Sequence, residues 1–392
     1  MNMSTVILSA KRTPIGAFMG AFSSLSAPQL GAEAIKSAVA ASGVDKNEVQ
    51  EVIMGNVLTG GVGQAPARQA SVYAGLPKSV ECMTINKVCG SGLKAVMLAD
   101  QAIRSGDLQL AVTGGQESMT NAPYALPKAR EGYKMGDGKL VDLMISDGLW
   151  DCYNNFHMGN AGEMCASEHT FTREQQDEYA TRSYERAINA QKNGYFDNEI
   201  SPVTIQGRKG DTIVEKDEEP ERVKFDKIPN LRPVFNKEGT ITAANASSID
   251  DGAAALVVAS EDYANSKGLK PLAKVIAHVS HAQEPEWFTT APTTAIQKVL
   301  KKANMKVEDI DLFEINEAFS VVPMHSIREL NLDEDKVNVN GGAVALGHPI
   351  GCSGARLLVT LIHELKRRGG KYGLVTLCIG GGEANAMIVE IL

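Results

Sequence analysis

Short apolar runs alternate along the chain with longer stretches whose apolar residues recur every three or four positions, the pattern of strands interleaved with amphipathic helices. STVILSA at 4–10 reads as a strand, and the stretch from Ser26 to Ser42 reads as a helix with Ser26 as cap, Pro28 in the first turn and Gly43 as terminator. In the second half LAKVIAHV at 272–279 reads as a strand, and Thr293 as the cap of a helix that carries Ile296, Val299 and Leu300 on one face. Leu357, Leu358, Leu361, Ile362 and Leu365 form a later stripe at helical spacing. Such alternation predicts an α/β protein with helices packed on mostly parallel sheets.

The two halves repeat. KNEVQEVIMGNV at 46–57 matches KVEDIDLFEINE at 306–317, and CGSGLKAVMLADQAIRSG at 89–106 resembles CSGARLLVTLIHELKRRG at 352–369. LAVTGGQE at 110–117 then answers LVTLCIGGGE at 374–383, so Asn56 coincides with Asn316 and Ser91 with Ser353. Three matches in one order argue for a duplication. The polar, proline-broken span between them falls outside the repeat, with one predicted helix from Thr172 to Asn193 opened by a Thr172/Gln175 capping box. Its mixed charge run from Arg208 to Lys227 reads as solvated surface. The expected organisation is a first α/β half at 1–118, completed by about 249–270, an inserted loop domain at 119–248, and a second half at 271–392.

Composition narrows the classes. A chain of 392 residues exceeds the usual single core of about 250 to 300. With 47 acidic residues against 39 basic and a net charge of −8, it lacks the overall charge of a nucleic-acid binder. The apolar run near the start, VIL at 6–8, is short, and none elsewhere approaches the roughly 18 of a membrane span. Six cysteines without a C-x-x-C pair suit a reducing compartment, so the expectation is a cytoplasmic protein with no membrane or nucleic-acid partner. A processed organellar protein would look the same.

Chemistry concentrates where strands break into glycines. Cys89, in VCGSG, lies between TINKV and a helix starting at GSGLKAV, near a helix amino terminus that would favour thiolate over thiol. Cys378, in LCIGGG, ends the last predicted strand, and the N–H groups after it, Gly380 among them, are free to face a ligand oxygen. His348, between Gly347 and Pro349, is placed on an exposed, rigid loop as a base for a thiol near neutral pH. Asn316, in EINEAF, reads either as the cap of the following helix or as an amide aimed at a substrate or water. Each cysteine could also be a small buried hydrophobe. Two thiols and an imidazole together suggest thioester chemistry.

VCGSG, NEAF, GGAVALGHPIGCSG and CIGGG resemble, in order and spacing, the motifs of the thiolase family, over Thr5 to Leu392, and within it the acetoacetyl-CoA group. Ile379 stands where the mitochondrial members of that group have asparagine. The resemblance implies a thiolase-like α/β fold of duplicated βαβαβ halves, with mixed, mostly parallel sheets layered with helices. It implies reversible Claisen condensation of two acetyl-CoA to acetoacetyl-CoA and CoA, with no permanently bound cofactor. Cys89 would carry the acetyl group, His348 activate it, and Cys378 deprotonate the second acetyl-CoA. His348 and a water on Asn316 would face the enolate oxygen, and the N–H groups of Cys89 and Gly380 the thioester oxygen. Arg222, Lys227 and Ser247 would contact coenzyme A, among the cations Arg208, Lys209, Arg222, Lys224 and Lys227 of the insertion. His157 and Met158 would line the pantetheine channel, and Tyr153, Ala243, Ala244, Ala246 and Val344 match a potassium site. A tetramer is implied as well. A degradative 3-ketoacyl-CoA thiolase with a wider slot, or a non-catalytic acyl-CoA-binding protein, are the alternatives; Phe288-Thr289 in place of a Phe-Pro pair argues against 2-methyl substrates.

Overall fold

The computed structural model describes residues 4–208 and 210–392, so Lys209 lies outside the described residues. The first half contains β1 (Thr5–Arg12), α1 (Ala27–Ser42), β2 (Glu51–Gly55), α2 (Pro66–Tyr73), β3 (Glu81–Ile85), α3 (Ser91–Ser105), β4 (Leu110–Ser118) and β5 (Asp250–Ser260). Between the last two strands lie α4 (Met158–Glu168) and α5 (Arg173–Lys192). The second half runs β6 (Ala273–Ala282), α6 (Ala291–Ala303), β7 (Leu312–Ile315), α7 (Val321–Leu330), α8 (Ala343–Leu346), α9 (Ile350–Arg368), β8 (Tyr372–Ile379) and β9 (Glu383–Ile391).

The strands follow the order β3-β2-β4-β5-β1-β6-β9-β8-β7. β2 pairs in parallel with β3 and β4, and β7 with β8, while β5 and β9 are antiparallel to both of their neighbours. One reversed strand therefore interrupts each otherwise parallel half, and the halves meet antiparallel where Val6 faces Lys274 and Ile7 faces Ala273. The order mirrors itself about that seam. A parallel bridge from Phe313 to Val337 stands in the second half where β3 stands in the first. The sequence matches fall on β2 with β7, α3 with α9, and β4 with β8, so the duplication read from the chain is a structural one.

Layering follows from which faces are apolar. Leu93 and Val96 of α3 and Leu357, Leu358 and Leu361 of α9 join Val258, Val375 and Met387 in one buried cluster, which puts the two helices together between the half-sheets. α1 and α2 cover the other face of the first half through Leu30, Ile35 and Ala70, and α6 that of the second through Ile296 and Val299. Helix caps are mostly as the sequence predicts. Gly43 ends α1 at φ 75°, and Thr172 Oγ1 accepts from Gln175 N at 3.3 Å while Gln175 Oε1 accepts from Thr172 N at 3.0 Å.

Five expectations change. Thr293 does not cap α6; Thr290 does, and the Thr293 hydroxyl lies inside the helix 2.8 Å from His325 Nδ1. Asn316 is not a cap, because α7 starts at Val321 behind Ser320. β8 is not the last strand, and the span before α5 contains α4. The charge run is not wholly solvated either: Asp217 is buried and receives Arg12 Nη1 at 2.7 Å and Nη2 at 2.9 Å. Arg12 also donates to the buried Glu199 at 2.6 Å, tying β1 to the 119–248 span, which leaves the sheet at Ser118 opposite Asp251.

The α3–α9 contact is a close backbone approach in the central layer. A Cβ on Gly92 would come within 2.7 Å of Ala355 N, and one on Gly354 within 2.5 Å of Leu93 N. These are related positions of the repeat, and the obstacles are backbone atoms, which cannot swing aside. Helix propensity alone would favour alanine by about 0.5–1 kcal/mol. Gly92→Ala is nonetheless expected to lower stability by about 1–3 kcal/mol, read as a lower urea midpoint; an unchanged midpoint would show that the crossing is loose.

Candidate active site

Cys89 stands two residues before α3 and His348 two residues before α9, so the helix contact brings both approach loops to one place. The turn before α3 is strained. Val88, a β-branched residue, has φ 45°, and Asn86 Oδ1 accepts its N–H at 2.9 Å while Ser91 Oγ donates to its carbonyl at 2.7 Å. A conformation that β-branched side chains avoid is thus held next to the thiol. On the far side, a Cβ on Gly90 would meet Ile379 Cδ1 at 2.3 Å, which seats VCGSG against the end of β8.

Cys89, His348 and Gly380 line one cavity of about 260 Å³ with His157, Met158, Ala246 and Ser247. Its other walls are largely apolar, among them Met119, Leu149, Phe235, Phe288, Phe319 and Ile350. Phe319 meets Phe235 at 6.2 Å and Phe288 at 6.5 Å between ring centroids, in edge arrangements that fill that side. His157 stacks on Phe235 at 4.8 Å and caps α4 by accepting from Gly159 N at 3.1 Å. Ser247 Oγ donates to Ala318 O at 3.0 Å.

His348 is buried, 5 % exposed, not on an exposed loop. Asp250 Oδ2 accepts its backbone N–H at 2.9 Å, and its Nδ1 lies 2.6 Å from Ser353 Oγ. The Ser353 hydroxyl gives its one proton to Pro349 O at 2.9 Å, so Nδ1–H is the donor to Ser353 and Nε2 carries the lone pair. Asn316 Nδ2 approaches that Nε2 at 3.5 Å, while the buried Asn316 Oδ1 accepts from no protein group. Burial, helped by the charge of Arg356, pushes the imidazole down to about 3.

The thiols are also neutral at rest. Burial pushes Cys89 up to about 11, partly offset by the Gly380 N–H that reaches its sulfur. The helix amino terminus therefore does not make Cys89 a thiolate, contrary to the sequence expectation; desolvation among apolar walls outweighs it. Cys378 is fully buried and lies behind the cavity wall rather than in it. Burial first, and the neighbouring Cys89 second, raise its thiol well above the ordinary range, while the Ala318 N–H reaches it.

The remaining predicted residues lie elsewhere or at the margin. Arg222 and Lys227 occupy the turns Pro220–Arg222 and Phe225–Asn230, both exposed and outside the cavity lining, and Arg222 pairs with Glu219 at 3.1 Å. Arg208 and Lys224 are exposed too. Of the potassium set, Ala244, Ala246 and Val344 are buried, Ala243 is exposed and Tyr153 is 71 % exposed. Glu117 escaped the sequence reading. Its buried carboxylate accepts from Val57 N, Leu58 N, Asn56 Nδ2 and Gly351 N at 2.7–3.1 Å, joining the loop after β2 to the first turn of α9. The coincidence of Ser91 with Ser353 was the available signal for the serine behind His348.

This layered fold and its thiol-bearing cavity are those of an acyltransferase. The thiolase N-terminal domain model matches residues 5–262 and the thiolase C-terminal domain model residues 269–391; the chain belongs to the thiolase family. It is 52% identical over 387 residues to an acetyl-CoA acetyltransferase of Cupriavidus necator, covering 98% of each chain. It is also 52% identical over 389 residues to the mitochondrial acetyl-CoA acetyltransferase of Bos taurus, covering 99% of this chain and 91% of that one. The crystal structure of the Bacillus anthracis acetyl-CoA acetyltransferase superposes with a TM-score of 0.98 at 41% identity, covering all of both chains.

The protonation state is measurable. Thiolate absorbance of the wild type minus that of Cys89→Ser is expected to stay flat up to about pH 10 and rise only as pH passes the thiol's value of about 11. A step near about pH 7 to 8 would mean a preformed thiolate.

Proposed function

We propose that the protein is an acetyl-CoA C-acetyltransferase, which condenses two acetyl-CoA to acetoacetyl-CoA and CoA in a reversible Claisen reaction. The observation that carries this reading is the convergence of Cys89, His348 and the Gly380 N–H on one small apolar cavity with Cys378 directly behind it.

The neutral pair sets the order of proton transfers. Cys89 Sγ attacks the thioester carbonyl as its proton passes to His348 Nε2, and the N–H groups of Cys89 and Gly380 receive the developing oxyanion. CoA leaves as thiolate and takes the Cys378 proton, giving free CoA and an acetyl group on Cys89. Cys378 is then a thiolate whose conjugate acid is unusually weak, hence a strong base for the methyl of a second acetyl-CoA. The enolate oxygen lies against protonated His348 and a water held by Asn316, whose buried Oδ1 is a free acceptor. Enolate attack on the acetyl carbonyl expels Cys89, which recovers its proton from His348.

His157, Met158 and Ser247, which share the cavity with Cys89, would flank the pantetheine arm, and the exposed Arg222 and Lys227 would meet the phosphates. The potassium expectation is part of this proposal. The carbonyls of Ala243, Ala244, Ala246 and Val344 with the Tyr153 hydroxyl would supply neutral oxygens of the kind potassium accepts, and the ion would steady the loop that carries Ser247. A homotetramer is proposed on the exposed apolar side chains of one segment, Tyr124, Met135 and Leu140 at 64, 97 and 62 % exposure. No helix among the described residues is long and apolar enough to cross a membrane, and six free cysteines favour the cytoplasm.

Phe288 and Phe319 bound a cavity of about 260 Å³, which favours a two-carbon acyl group over the longer chains of a degradative thiolase. Acetoacetyl-CoA is expected to be cleaved at least about tenfold faster than a 3-ketoacyl-CoA two carbons longer; equal rates would favour the broader enzyme. Acetyl-CoA alone should leave one acetyl group on Cys89 by intact-protein and peptide mass spectrometry. Cys378→Ala should still acquire that group but lose condensation by about a hundredfold or more. An acetyl group on Cys378 or a lysine, or wild-type condensation by Cys378→Ala, would overturn the assignment.

A further inference from the structure

A second cluster of ligand-type side chains lies apart from the thiol cavity. His325 and Glu329 stand four residues apart on α7, which puts both on one helix face, and His169, the residue that ends α4, joins them. One ligand atom from each lies within 4.8 Å of the others. All three line an open cleft of about 500 Å³, together with Glu168 and Trp287. None of these residues has a part in the chemistry above.

We propose that His169, His325 and Glu329 form a binding site for a divalent transition-metal ion. Two imidazoles and a carboxylate are the ligand set of zinc, cobalt or nickel, whereas magnesium and calcium ask for oxygen alone. His325 is held as a ligand needs to be. Thr293 Oγ1 on α6 lies 2.8 Å from its Nδ1 and 3.0 Å from Ser326 Oγ, so the hydroxyl pair fixes the ring and leaves Nε2 as the ligand atom. The His169 and His325 rings are 4.4 Å apart at 68°, close enough to share one ion.

Metal bonds of about 2.0–2.2 Å place tetrahedral ligand atoms roughly 3.4 Å apart, so the cluster must close by on the order of an ångström. The half-buried His169 and the exposed Glu329 have room to do so, while the buried His325 is the fixed point. Glu168 or a water completes the fourth position. The competing cation, Arg328, is engaged elsewhere: it donates to His169 O at 2.7 Å and stacks on Phe171 at 4.3 Å, with only a long 3.5 Å approach to Glu329. A bound ion would pin the end of α4 to α7; α4 begins at Met158 in the thiol cavity, so the clamp reaches one of its walls.

Cobalt(II) titration of the full chain, followed by its visible ligand-field absorption, tests the site. One ion per chain should bind without the near-ultraviolet band of a cobalt–thiolate bond. His169→Gln and Glu329→Gln, at less buried positions, should each weaken binding by about tenfold or more, and Thr293→Val by about 10- to 100-fold with the ligands intact. Absence of binding, a thiolate band, or affinity unchanged in both His169→Gln and Glu329→Gln would overturn the proposal and leave the cluster as aromatic packing around Trp287.

Discussion

The close crossing of α3 and α9 is the constraint on which the rest of the molecule depends. Gly92 faces the backbone at Ala355, and Gly354 faces the backbone at Leu93, so each half of the duplication supplies the glycine that admits the other. A side chain at either position would separate the helices and, with them, the loops that precede them. Because Cys89 ends one loop and His348 sits in the other, the spacing of the Cys89 thiol and the His348 imidazole is set by two missing methyl groups in the middle of the protein. The mirror-related sheet, joined at β1 and β6, holds the two helices in that register.

Burial at this junction decides the electrostatics. The apolar surroundings desolvate both groups, so the thiol and the imidazole are held neutral, and an ion pair at rest would carry a large desolvation cost. The neutral state leaves a chosen tautomer: Ser353 Oγ accepts the hydrogen bond from Nδ1–H, and Nε2 keeps its lone pair. The same desolvation raises Cys378, which in the proposed reaction would turn a poor acid into a strong base once its proton had left with CoA. Burial thus has opposite effects on the two jobs of a thiol, hindering the first ionisation and strengthening the later proton abstraction.

Periodicity and punctuation made most of the scaffold legible. The repeat, the caps of α1 and α5 and the amphipathic stripe of α9 were all visible, because each is a local pattern with a local cause. What stayed hidden depends on tertiary contact. Glycine clusters around Cys89 and His348 look like exposed loops in a sequence, yet here they allow buried backbones to touch, which is why His348 is enclosed and Cys89 is not a thiolate. Asp217 sits in a run of mixed charge and gives no sign that Arg12, more than two hundred residues away, will bury it. The motifs named the thiols, His348 and Asn316, but not Ser353's hydrogen bond, the Glu117 carboxylate at α9 or the way Phe288 and Phe319 narrow the cavity.

Rapid-quench measurement of Cys89 acetylation by acetyl-CoA in Gly354→Ala tests the central claim most directly, since that position touches neither substrate nor thiol. The account predicts a folded protein, by circular dichroism and thermal unfolding, whose acetylation rate falls by on the order of tenfold or more because the base has moved away from the thiol. Acetylation at the wild-type rate in a folded Gly354→Ala would contradict it, and would place the control of the site in the loops themselves rather than in the helix crossing.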